Sequence, residues 1–241
     1  MINITGKYTQ ANIMIDEVES GVVRQVQNLC NHPLFEDKQI AVMPDTHVGK
    51  STVVGLSCYL DAETLIPSLL GSDIGCGMLI IKLKKCSTLN DYAKLDKVIR
   101  NHIPLGAEHR KTPSKYLSPK VEQHLRNHLQ EERGSKYFKD VTSYINSVGT
   151  LGGGNHFISI EKGESGTYLI VHTGSRNFGQ DVCNHYSSLA LEQNPYAHSG
   201  ELKQLSWLDK ATSIKYYYAV GIGLLLAENN LKNELKKKPE Q

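Results

Sequence analysis

The chain has no long apolar run. Its longest candidate, AVGIGLLLA over residues 219–227, falls well short of the roughly 18 residues that a membrane span needs. It reads as one buried helix. The N-terminus, MINITGKYTQ, pairs no basic region with an apolar core, so no secretory leader is expected. Cysteine is sparse. The five residues, Cys30, Cys58, Cys76, Cys86 and Cys183, are odd in number and widely scattered. That speaks against a disulfide framework and for a reducing compartment, so a cytoplasmic protein is expected. There is no internal repeat and no low-complexity linker. Net charge is only +2, which excludes a polycation. With 39% hydrophobic and 22% charged residues over 241 positions, the composition is that of a soluble globular chain. The length is enough for one large domain or two small ones.

What charge there is lies unevenly. Residues 81–140 carry 14 Lys or Arg against 7 Asp or Glu, with His102, His109, His124 and His128 in the same stretch. A solvated helical surface would look like this. So would a face that contacts phosphate backbone.

Apolar periodicity predicts a helix over 16–29, with Val18, Val22, Val23, Val26 and Leu29 on one side. Strands are expected over 39–43, 51–60 and 78–83. Helices are expected over 89–100 and 118–134, and two strands, 157–161 and 167–172, flank the turn KGESG. Helices over 178–191 and 216–238 complete an α+β pattern.

Four polar clusters stand at the ends of apolar strands: MPDTHVGK (43–50), GSDIGCGM (71–78), GTLGGGNHF (149–157) and VHTGSRNFG (171–179). Glycine lets a backbone come close to a ligand, and strand-to-loop junctions are held by a rigid scaffold. Asp73 and Cys76 combine a hard carboxylate with a thiolate, a pair suited to a borderline divalent ion. A buried structural cysteine beside a capping acid would read the same. His156 and His172, 16 residues apart, bracket the predicted hairpin, which would carry both imidazoles to one rim. Two histidines, a thiol and an acid in matching contexts favour a metal site. The GGGNH run can form an anion-binding nest, and Arg176 and Ser175 add phosphate donors. Asp45 and His47 form either an acid–base pair or a strand-terminating turn.

In this order the four clusters resemble the RtcB family of RNA ligases, and the opening GKYTQANIMID resembles its shorter bacterial members. The resemblance extends over residues 6–230. It implies an RtcB-like mixed β-sheet core with flanking helices. It also implies an enzyme that joins RNA ends bearing a 2′,3′-cyclic phosphate or 3′-phosphate to 5′-hydroxyl ends, using GTP and Mn²⁺ through a guanylylated histidine. By the same resemblance Cys76 bridges two Mn²⁺ ions. Asp73 and His156 bind one ion, and His172 binds the other. Asn155, His156 and Phe157 open a GTP-contacting segment. Arg176 lies near the phosphate or RNA path, and Asp45 is an acid near the reacting end.

Tyr216, Ala227 and Asn230 fit a helix that precedes the family's second half. Two positions depart from the family pattern. Ser159 stands where the segment that begins NHF usually carries an acid, and Leu231 stands where an arginine follows the asparagine. No HGAGR-like motif, which would supply the histidine that accepts GMP, occurs in the sequence. The expectation is one RtcB-like domain over 1–241, the N-terminal half to two-thirds of the family fold, with a disordered lysine-rich tail over 232–241. Such a chain would be inactive alone unless a second chain completes the site. A non-catalytic RNA-end or metal-binding protein, or a metal-dependent phosphoesterase, fits the same residues. None of these readings involves a membrane.

Overall fold

The computed structural model describes residues 1–61, 63–83, 91–115, 117–197 and 200–235. Helices mix with two separate β-sheets, which is the α+β class expected. Contacts divide the chain into two compact units. One comprises residues 1–71 and 183–217, and the other residues 72–182 and 218–241.

The first unit is built on β1 (Ile2–Thr5), β2 (Gln10–Ile13), β3 (Ile40–Val42) and β4 (Leu56–Cys58), hydrogen-bonded in that order. The β2–β3 pair is parallel and its neighbours are antiparallel. A parallel pair needs a crossover, and α1 (Ser20–Cys30) supplies it. Its apolar spacing places Val22, Val26 and Leu29 fully inside, against Ala11, Ile13, Phe35 and Val42. The helix begins later than its periodicity predicts because Glu19 is extended. The Glu19 carboxylate accepts the Val48 N–H at 2.9 Å. The strand expected over 51–60 shrinks to β4 because the residues before it fold back. Val54 N–H bonds the His47 carbonyl at 3.1 Å, and Met43 N–H bonds Gly55 at 2.9 Å. The short strands β1 and β2 and the helix α2 (Pro67–Leu70) carry too little pattern to be read in advance.

The second unit is built on β5 (Gly77–Lys82), β6 (Phe157–Gly163) and β7 (Gly166–Thr173), in the order β5-β7-β6 and all antiparallel. The predicted hairpin is β6–β7. It closes more tightly than KGESG suggests, with Gly163 paired to Gly166. Around it lie α3 (Tyr92–His102), α4 (Pro119–Glu131) and α5 (Val141–Ser147). Asp91 starts α3 by accepting the Lys94 N–H at 3.0 Å. Cys86 and the first two residues of the helix predicted from 89 lie outside the described residues. The unexpected α5 is set by Asp140, which accepts the Thr142 N–H at 2.8 Å, a cap that outweighs a weak apolar period.

The long helices α6 (Asn177–Gln193) and α7 (Lys210–Leu235) each begin in one unit and end in the other. Within α7 the apolar stretch is not buried all round. Ala219, Ile222, Leu226 and Ala227 are inside, while Leu224 and Leu225 are 51% and 37% exposed. Among the described residues no helix is long and apolar enough to cross a membrane. Of the tail expected to be disordered over 232–241, residues 232–235 belong to α7, and 236–241 lie outside the described residues.

Candidate metal centre

Asp73 and Cys76 sit in the turn that leads into β5, closed by the Cys76 N–H on the Asp73 carbonyl at 3.1 Å. His156 immediately precedes β6 and His172 is the penultimate residue of β7. Because β5 and β6 both pair with β7, Met78 and Phe157 lie opposite His172 on its two sides. That register brings the turn and the hairpin rim together. One ligand atom each from Asp73, Cys76 and His156 lies within 4.8 Å of the others. His156 Nε2 is 3.0 Å from Asp73 Oδ2, and Cys76 Sγ is 2.6 Å from His172 Nε2. The two imidazoles meet edge to face with centroids 5.5 Å apart. The close approach is possible because Gly174 has no side chain: a Cβ there would overlap Asp73 Oδ1.

The donor set fits a divalent ion. The Leu151 carbonyl lies 3.0 Å from His156 Nδ1. A carbonyl only accepts, so Nδ1 carries a proton and Nε2 is the nitrogen that faces Asp73. Two acceptors at hydrogen-bond distance need a cation, either a proton or a metal ion. Donors sharing one ion at about 2.0–2.6 Å can lie up to about 5 Å apart, which accommodates the observed spread. Carboxylate, thiolate and imidazole together suit a borderline metal. Burial pushes the Asp73 carboxyl up. Hydrogen bonds from His156 and Cys76, with the charge of His156 and His172 beside it, outweigh that effect and hold it below its ordinary value. The Cys76 thiol is pushed up to about 12 by burial and by its bond to the Asp73 carboxylate. A metal ion bound there must displace the thiol proton.

Arg176 follows β7 in a left-handed backbone conformation, φ 60°, which is strained for a side chain of its size. Its Nε donates to Thr150 Oγ1 and its Nη2 to the Gly106 carbonyl, both at 3.0 Å. The guanidinium lies against Gly152, where any Cβ would collide with it. Burial lowers its pKa and the Asp73 charge opposes that, so Arg176 stands in the electrostatic field of the donor group. Asn155 is exposed before β6. The Phe157 ring lies edge-on to His172 at 5.5 Å. Asp45 and His47 lie exposed in the loop after β3, in the first unit. The Gln25 side chain braces that loop from α1 through the Gly49 N–H and carbonyl at 3.1 and 2.8 Å.

The basic stretch is largely a helical surface. No residue of α3 is buried, and Arg100 and Arg126 pair with acids four residues earlier in their own helices. Sequence reasoning missed Gln25, Thr173 and the linking role of Asn230. For Asn230 a signal existed: it continues the 222, 226 apolar face of α7, so a polar side chain is aimed inward.

Comparison with known proteins gives one consistent answer. The family model described as tRNA-splicing ligase RtcB matches residues 25–232. Two RNA-splicing ligases of Escherichia coli, RtcB1 of strain ATCC 25922 and RtcB of strain K12, are each 32% identical over 188 residues, 73% of this chain and 45% of their own length. The tRNA-splicing ligase RtcB of Pyrobaculum aerophilum is 27% identical over 188 residues, 60% of this chain and 39% of its own. The chain thus spans less than half the length of these relatives.

Proposed function

The chain belongs to the RtcB family, and from that membership we propose that it provides the metal-binding and phosphate-binding part of a GTP- and Mn²⁺-dependent RNA ligase. The reaction joins a 3′-phosphate or 2′,3′-cyclic phosphate end to a 5′-hydroxyl end. The observation that supports this reading best is the convergence of Asp73, Cys76 and His156, whose ligand atoms lie within 4.8 Å of one another, with His172 Nε2 2.6 Å from Cys76 Sγ, donors from three separate motifs. Cys76 would be the donor that two ions share, its Sγ within reach of His172 as well as of the Asp73–His156 pair.

Bound divalent ions supply charge neutralisation at phosphate oxygens. The protein residues do the rest. Asp73 and His156 hold one side of the group and His172 the other. Arg176, fixed by Thr150 and Gly106, offers positive charge to a phosphate beside the nest of residues 152–154. Asn155 and Phe157 stand at the same rim to meet the nucleotide. Asp45, on its braced loop, acts near the reacting RNA end, and the basic 81–140 stretch holds the RNA strand. Polypeptide corresponding to the unmatched part of the relatives, in the same chain or a second one, completes the ligase and contributes the histidine that takes GMP.

Mn²⁺ binding tests this reading. Electron paramagnetic resonance of free Mn²⁺ should show uptake by the native chain, and Cys76→Ser should weaken it by about tenfold or more, at least the loss typical of an outer-shell partner. Equal affinity in the two proteins would refute the site.

A further inference from the structure

Asn230 is fully buried on α7 and uses both ends of its amide. Its Oδ1 accepts the Gly149 N–H at 2.6 Å and the Thr150 N–H at 3.3 Å. Its Nδ2 donates to Thr173 Oγ1 at 2.9 Å and to the carbonyls of Thr150 and Gly174, both at 3.2 Å. Backbone donors on one end and acceptors on the other fix the orientation of the amide.

We propose that Asn230 is a positioning residue of the metal group, aiming His156 and His172 through Thr173 and the Leu151 carbonyl. The inference rests on the metal reading above. The Thr173 hydroxyl accepts from Asn230 and donates its own O–H to the Leu151 carbonyl at 2.9 Å. That carbonyl also accepts the His156 Nδ1–H at 3.0 Å, the bond that leaves Nε2 free to face Asp73. Thr173 is covalently next to His172, and Gly174 is packed against Asp73 and Cys76. One buried amide therefore grips the backbone beside the donors on β7 and, through a relay of three hydrogen bonds, fixes the orientation of the His156 ring. Partners that orient a metal-binding histidine in this way are worth roughly 10- to 100-fold in metal affinity. A merely structural asparagine would alter stability and leave the affinity of the folded protein unchanged.

The test compares the native chain with Asn230→Ala, Thr173→Val and Thr173→Ser, all well below their melting temperatures. Mn²⁺ affinity is measured for each, and the ¹⁵N resonances of the His156 ring are recorded without metal. Asn230→Ala and Thr173→Val should each lose about 10- to 100-fold in affinity. The His156 Nδ1–H signal, held by the Leu151 carbonyl in the native chain, should shift in both, and Thr173→Ser, which keeps the hydroxyl, should restore both properties. Folded variants with native affinity and a native His156 Nδ1–H signal would overturn the proposal, as would Thr173→Ser behaving like Thr173→Val. If Asn230→Ala does not fold, the two Thr173 variants decide the matter by the same criteria. A native chain that takes up no Mn²⁺ would refute the metal reading instead, and the His156 Nδ1–H signal would still judge the coupling of Asn230 to His156.

Discussion

Lowering the pH should unfasten the first unit at His32. This imidazole is fully buried, between Tyr196 at 4.1 Å and the edges of Trp207 and Phe35. Its Nδ1 accepts the Leu34 N–H at 3.2 Å and its Nε2–H donates to the Leu205 carbonyl at 2.9 Å. The neutral ring satisfies both partners, whereas a second proton on Nδ1 would point at an N–H. Burial lowers its pKa from 6.5 to about 4, and the Leu205 bond only partly opposes this. The unfolded chain therefore binds the proton first. Stability is complete above about 6.5, falls as the pH drops towards 4, and levels off below. At about 1.4 kcal/mol per pH unit, the loss amounts to about 3 kcal/mol, a large share of a typical domain's stability. Urea unfolding of the native chain and of His32→Gln, followed at the single Trp207 between pH 8 and pH 4, isolates the effect. Gln can keep both hydrogen bonds and does not titrate, so the difference between the two curves belongs to His32. A difference that stays flat across this range would refute the argument.

Three further outcomes are expected. Gly174→Ala drives a Cβ into Asp73 Oδ1, so it should destabilise the fold by about 1–3 kcal/mol and weaken Mn²⁺ binding; calorimetry and titration showing native values for both would contradict the packing described. RNA affinity, read by fluorescence anisotropy, should fall linearly with the logarithm of salt concentration, and a salt-independent signal would exclude the basic stretch as a phosphate contact. The 241-residue chain incubated with α-labelled GTP and Mn²⁺ should give no labelled band on denaturing electrophoresis, because the ring nitrogens of His156 are engaged by Leu151 and Asp73 and the Nε2 of His172 faces Cys76. An acid-labile label removed by one histidine substitution would locate a nucleophile in this chain.

The hairpin was legible because its information is local. Alternating apolar residues on either side of a short turn specify β6 and β7, and two histidines at the rim follow from the pairing. Element ends were less legible, since Asp91 and Asp140 start their helices by hydrogen bonds that apolar period does not record, and the extended backbone of Glu19 delays the start of α1. The strand predicted over 51–60 failed for a related reason. β-branched residues favour an extended backbone, but the turn hydrogen bond from Val54 to His47 overrides that preference.

The meeting of Cys76 with His172 lies beyond any local reading. It depends on β5 pairing with β7 across a separation of 96 residues, and no periodicity encodes which strand a lone strand will choose. The order of the four motifs carried that information only through resemblance to a family. Asn230 shows the same limit from the other side. Its place on the buried face of α7 could be read from spacing, but its five hydrogen bonds reach four residues 56 to 81 positions away. A buried amide must find partners for both ends, so a polar residue on an apolar helical face is a statement that something distant must be held. Here the backbone it holds is the backbone that carries the metal donors.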